Sequence, residues 1–148
     1  HRLWEAAGRT SAEVTKACVV NWMLMGVFLT RDKLYKFKKV NSSICIFCQT
    51  AEIQMANNLY HFLHVCTAFK NIRVPFLEEL EAGNDDLKII ADNQKLMTIA
   101  ILDPESNFLP ENIKNCWKNL DGTYRSARNF AFNMFKKRKT LTEILTNN

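Results

Sequence analysis

Four soft-donor side chains in a short stretch constrain this chain more than any other feature. Cys45 and Cys48 form a C-x2-C pair, twelve residues intervene, and His61 and Cys66 follow as H-x4-C. Two thiolates on one knuckle, with an imidazole and a third thiolate at finger-like distance, can converge on a single tetrahedral point. Zinc is the natural occupant, because it takes mixed sulfur and nitrogen ligands without redox chemistry. Four protein ligands leave no open position, so the expected role is structural. His64 is an alternative nitrogen donor, less favoured because His64-x-Cys66 demands a sharper turn. Burial of the cysteines as small apolar side chains is the competing account.

The rest of the cysteine pattern agrees with metal rather than disulfides. The chain has 148 residues and five cysteines, an odd number. Cys18 and Cys116 lie far from the cluster among apolar neighbours and read as core. The longest apolar stretch, Ala17 to Leu29, does not read as a signal peptide, being too far in with the wrong flanks, and it is interrupted by Asn21 and too short to span a bilayer. The expectation is an intracellular chain, nuclear or cytoplasmic, without a membrane partner. It begins at His1 rather than Met, as expected for a piece of a longer polypeptide or a processed form.

Hydrophobic residues make up 47% and charged residues 24%, a globular balance, and four Gly with three Pro argue against a many-turned β fold. The periodicity is mostly helical. Thr10-Ser11-Ala12-Glu13 matches a capping box. After it, Val14, Ala17, Cys18, Trp22, Met25 and Leu29 recur at helical spacing. Thr30 opens a short helix expected to turn Leu34 and Phe37 inward. Met55 to Val65 reads as a helix. Thr67 caps the next, with Ala68, Phe69, Ile72, Phe76 and Leu80 buried, Pro75 kinking or splitting it and Gly83 ending it. Asp85 or Asp86 caps a stretch bearing Ile90, Leu96, Ile99 and Leu102, broken at Asp103-Pro104. Pro110 starts a further helical region reaching Lys139, interrupted near Asp121-Gly122. The expected fold class is therefore mainly α: one irregular helical domain over 1–148, a zinc knuckle or finger inserted between helices at 44–69, and a disordered tail over 140–148.

Charge is unevenly distributed within a net of +5. Arg31, Lys33, Lys36, Lys38 and Lys39 cluster just before the knuckle. Arg125, Arg128, Lys136, Lys137, Arg138 and Lys139 form a second basic segment with no acid between Tyr124 and Lys139. Eight acids against two lysines occupy Glu78 to Glu105. Such asymmetry points to a side facing a polyanion. Phosphates need Lys and Arg, while splayed bases stack on aromatics, and Tyr35 is the aromatic expected to be exposed. Solvated helix faces are the bland alternative.

The run Leu29-Thr30-Arg31-Asp32-Lys33-Leu34, then Cys45-x2-Cys48, Glu52, His61-Phe62-Leu63-His64-Val65-Cys66 and the apolar Thr67 to Leu77, resembles a known region. It is similar to the zinc-binding segment that follows the polymerase in reverse transcriptases of non-LTR retrotransposons. The resemblance covers Trp22 to Leu80, and the chain has Ile46 and Gln49 where that family often carries Pro and Gly. It implies that Cys45, Cys48, His61 and Cys66 are zinc ligands, and that RNA or DNA and a parent reverse transcriptase domain are partners.

Catalysis is not expected. Asp85-Asp86 is the only acidic pair of the DD type and has no hydrophobic strand before it. No phosphate loop, nucleophile elbow or HExxH helix appears, so no small-molecule substrate is expected. Two functions remain: a nucleic-acid-binding module serving a polymerase, or a zinc-stapled protein-interaction module docking on it through the apolar first helix.

Overall fold

The computed structural model describes residues 10–48, 55–119 and 121–146. It is mainly helical, and among the described residues the only β pairing is an isolated antiparallel bridge, Ile44 to Ala56. The α-helices are α1 (Ser11–Leu24), α2 (Arg31–Lys36), α3 (Lys70–Glu81), α4 (Asp85–Asp92), α5 (Gln94–Leu102), α6 (Glu111–Asn119) and α7 (Asp121–Thr146). A π-helical turn (His61–Val65) and a 3-10 turn (Thr67–Phe69) lie between α2 and α3. The interruption expected near Asp121-Gly122 is not seen at those residues, which are helical within α7, and Leu120 lies outside the described residues. Helix α7 continues through 140–146, the stretch read from sequence as a tail.

Side-chain caps set the starts of α1, α4 and α5. Thr10 Oγ1 accepts the Glu13 amide at 3.3 Å, half of the expected capping box. Glu13 itself pairs with Lys16 at 2.6 Å and Arg128 at 3.2 Å instead of reaching back. Asn84, one residue upstream of the expected Asp85, caps α4 by accepting the Leu87 amide. Asn93 caps α5, so the single stretch expected from Asp85 to Leu102 is two helices. Pro75 does not split α3, which runs unbroken from Lys70 to Glu81 with Phe76 and Leu80 buried.

The buried face of α1 differs from expectation. Ala17, Val19, Val20 and Met23 are buried, while Val14, Trp22, Met25 and Leu29 are exposed. From Ala17 to Leu24 the helix is apolar on nearly every side, so periodicity offers no contrast between faces. Docking decides instead: α1 lies along α7, joined by the Glu13–Arg128 ion pair. The chain leaves the helix at Met25, turns at Gly26 with φ +68°, and sends Phe28 inward. Phe37 is exposed rather than inward.

Phenylalanines connect the core to the knuckle. Phe28 meets Phe62 at 5.2 Å between ring centroids, Phe62 meets Phe69 at 5.0 Å, and Phe69 meets Phe47 at 5.9 Å. Phe62 is fully buried and central to this chain of rings. Phe62→Ala should therefore cost about 3–5 kcal/mol, read as a lower denaturation midpoint at unchanged slope.

Candidate metal centre

Two short segments bring the first ligands to the later ones. The Cys45 amide donates to the Met55 carbonyl at 3.0 Å and the Asn57 amide to the Ser43 carbonyl at 2.8 Å. This pairing fixes Cys45 and Cys48 beside the strand-like segment leading into His61. Met55–Asn58 is thus extended rather than helical, and Asn58 starts the helical turn by accepting the His61 amide at 2.8 Å. The Asn57-Asn58 pair is the turn signal that marks this boundary in the sequence.

The π turn explains how an H-x4-C spacing can work. In an α-helix, residues five apart point about 140° away from each other. Here the Cys66 amide donates to the His61 carbonyl at 2.8 Å, an i to i−5 bond that widens the turn. His61 and Cys66 are thereby brought onto one side.

The four donors lie within 4.8 Å of one another. Cys48 Sγ is 3.2 Å from His61 Nε2 and 3.5 Å from Cys66 Sγ, and Cys45 Sγ is 3.7 Å from Cys66 Sγ. A tetrahedron with metal–sulfur bonds of about 2.3 Å has sulfur–sulfur edges of about 3.8 Å. A disulfide would need about 2.05 Å, and all five cysteines are free. The cluster is shaped to hold a metal ion.

Its electrostatics ask for a cation. The Cys45 thiol is held down to about 3 by its hydrogen bond with Cys66, helped by His61 and by the Phe47 and Cys48 amides. Cys66 is pushed far above the ordinary thiol range by that same bond, by burial and by the Cys45 charge. Three sulfurs this close, two buried and one half-buried, cannot all ionise by themselves. A divalent cation would replace the retained protons.

Neighbouring groups orient the ligands. Asn57, 1% exposed, donates from Nδ2 to Cys45 Sγ at 3.3 Å and accepts the Arg31 amide on Oδ1 at 3.1 Å. Its carbonyl accepts the Asp32 amide at 3.2 Å. Asn57 therefore caps α2 from outside, where Thr30 makes no side-chain cap, and ties that helix to a ligand sulfur. Arg73 is buried, donating from Nε to the Leu63 carbonyl at 2.8 Å and from Nη2 to the Cys66 carbonyl at 2.9 Å. Burial lowers its pKa, and the Cys66 and Cys48 sulfurs oppose that. Neither residue stands out by spacing, since an Asn in a turn and an Arg in a helix are both commonplace.

His64 is not in the cluster. Its Nε2 sits 2.6 Å from Thr98 Oγ1, whose own proton goes to the Gln94 carbonyl, so Nε2 carries the hydrogen. Burial, with Arg73 nearby, holds its pKa down to about 4. It joins the π turn to α5 as a neutral imidazole.

The basic residues divide by use. Arg128 is 2% exposed and paired with Glu13, and Arg138 lies over the Phe28 ring at 4.7 Å while donating to the Leu29 carbonyl. Both are committed to packing. Lys33 donates to the Gly26 carbonyl and Lys137 to Asn71 Oδ1 at 2.6 Å. Arg31 is half-buried. Lys36, Lys38, Lys39, Arg125, Lys136 and Lys139 are exposed, with Lys36 in an i,i+4 pair with Asp32 at 2.8 Å. Glu52 and Gln49 lie outside the described residues. No family model, curated protein or solved structure matches this chain.

Proposed function

We propose that this chain is a zinc-stabilised, non-catalytic nucleic-acid-binding module from the region that follows the polymerase of a non-LTR retrotransposon reverse transcriptase. The observation that carries it is the tie between the donor cluster and a basic helix: Asn57 bonds both Cys45 Sγ and the Arg31 amide that opens α2, and α2 leads to the exposed Lys36, Lys38 and Lys39. The Arg138–Leu29 bond joins α7 to the segment just before α2. Lys136 and Lys139, on the same stretch of α7 as Arg138, are also exposed. The three-thiolate, one-imidazole donor set favours zinc, and its four ligands close the coordination sphere to substrate.

The contact would be to backbone phosphate, sequence-tolerant and salt-dependent. With the six exposed cations engaged, the slope of log affinity against log salt should be about −4 to −5. Lys36→Ala, Lys38→Ala and Lys39→Ala together should weaken binding and flatten that slope by about 2 or more. A flat salt dependence in a fluorescence titration would rule the reading out.

The exposure of Val14, Trp22, Met25, Val27 and Leu29 favours a second reading, in which this apolar surface docks on the parent polymerase. Under it, the triple lysine variant binds nucleic acid no differently from the parent chain.

A further inference from the structure

We infer that the turn closing α2 is a single-strand binding element: Tyr35 and Phe37 stack unpaired bases while Lys36, Lys38 and Lys39 hold the flanking phosphates. The inference rests on the nucleic-acid reading and specifies the kind of nucleic acid. Helix α2 ends in a Schellman motif. The Lys39 amide donates to the Leu34 carbonyl at 2.8 Å and the Lys38 amide to the Tyr35 carbonyl at 2.9 Å. That motif requires a left-handed residue, for which glycine is the usual choice. This chain places Lys38 there, at φ 56°, the only described non-glycine residue with positive φ.

The aromatic positions are equally unusual. Tyr35 is 50% and Phe37 63% exposed, and among the described residues neither ring packs on another aromatic ring. A lone exposed aromatic is ordinary. Two on one turn, alternating with three exposed lysines, form a set: flat apolar faces framed by cations. Such a set suits unstacked bases, whose faces are free, and not a duplex, whose base faces are already stacked. Strain held at an exposed lysine is better accounted for by a task at that position than by packing. Asn57 fixes the other end of α2 against Cys45, so the element is held by the same segment that carries the metal ligands.

The test uses the full chain loaded with zinc and a short unstructured oligonucleotide, offered alone and annealed to its complement at one salt concentration. The single strand should bind more tightly. Tyr35→Ala with Phe37→Ala should weaken single-strand binding by roughly 5- to 150-fold per stacked base, leaving the salt slope and duplex binding unchanged. Lys38→Gly should raise the melting temperature by roughly 2–4 °C, by relieving the left-handed lysine, while flattening the single-strand salt slope by about 0.7. Equal binding of both forms with a neutral aromatic variant would overturn the inference and leave the nucleic-acid reading standing if Lys36→Ala and Lys39→Ala still weaken both. Absence of binding to either form would overturn both.

Discussion

Chelating the metal should abolish ordered structure from Ile44 to Phe69 and lower the melting temperature of the whole chain. Three sulfurs in that segment are buried or half-buried and separated by 3.5 to 3.7 Å where they approach Cys66. Without a cation they must share protons, as the opposed shifts of Cys45 and Cys66 indicate. A structural zinc contributes about 10–16 kcal/mol in apparent binding free energy. A domain's entire net stability is about 5–15 kcal/mol. Losing the first can consume the second. The effect should spread beyond the ligands, because Phe47 packs on Phe69 and Phe69 on Phe62. Far-UV circular dichroism and a thermal melt, before and after chelation, read the result. His61→Ala should lose the bound metal by elemental analysis, whereas His64→Ala should retain it, since His64 bonds Thr98 instead. An unchanged melt, or metal retained by His61→Ala, would sink the centre.

How much of this was legible beforehand depended on whether neighbours or long-range contacts decided each feature. The four donors were visible in spacing alone, because a ligand set is a property of residue types at short distance. The buried stripe running from the 3-10 turn into α3 was also visible: Phe69, Phe76 and Leu80 are set among polar residues, so periodicity has contrast. Helix α1 lacks that contrast, and only its docking on α7 shows which side is inside. The break between α4 and α5 hinged on Asn93, a cap whose preference is easily outvoted by the apolar residues on either side. The π turn has no sequence signature of its own, since His-Phe-Leu-His-Val would suit an α-helix equally well. Charge proved legible in sum but not in use. Arg128 and Arg138 belong to basic clusters in sequence, yet both are spent inside the fold, and nothing local distinguishes them from Arg125.

Arg73→Leu should be nearly as damaging as losing a ligand, and its cost should depend on the metal. Three thiolates around one divalent cation would leave the centre with one net negative charge, held where water is largely excluded. Arg73 is 8% exposed and the Cys66 and Cys48 sulfurs favour its charge. It offsets the centre while satisfying the Leu63 and Cys66 carbonyls. Removing one partner of such a buried arrangement costs about 3–5 kcal/mol, because the other charge is left uncompensated. Leucine would also take a donor from both carbonyls, leaving the Cys66 carbonyl only the Phe69 amide. Arg73→Lys keeps the charge but not the planar fork that reaches both carbonyls, so it should fall between the parent chain and Arg73→Leu. Zinc affinity, measured by competition with a coloured chelator, should drop by roughly 10- to 100-fold in Arg73→Leu, the range typical of groups that support ligands. Denaturation of the loaded and chelated protein separates the two roles of the side chain. If Arg73 only braces the carbonyls, both forms lose equal stability and zinc affinity stays put. If it balances the thiolate charge, the loaded form loses more, and affinity falls with it.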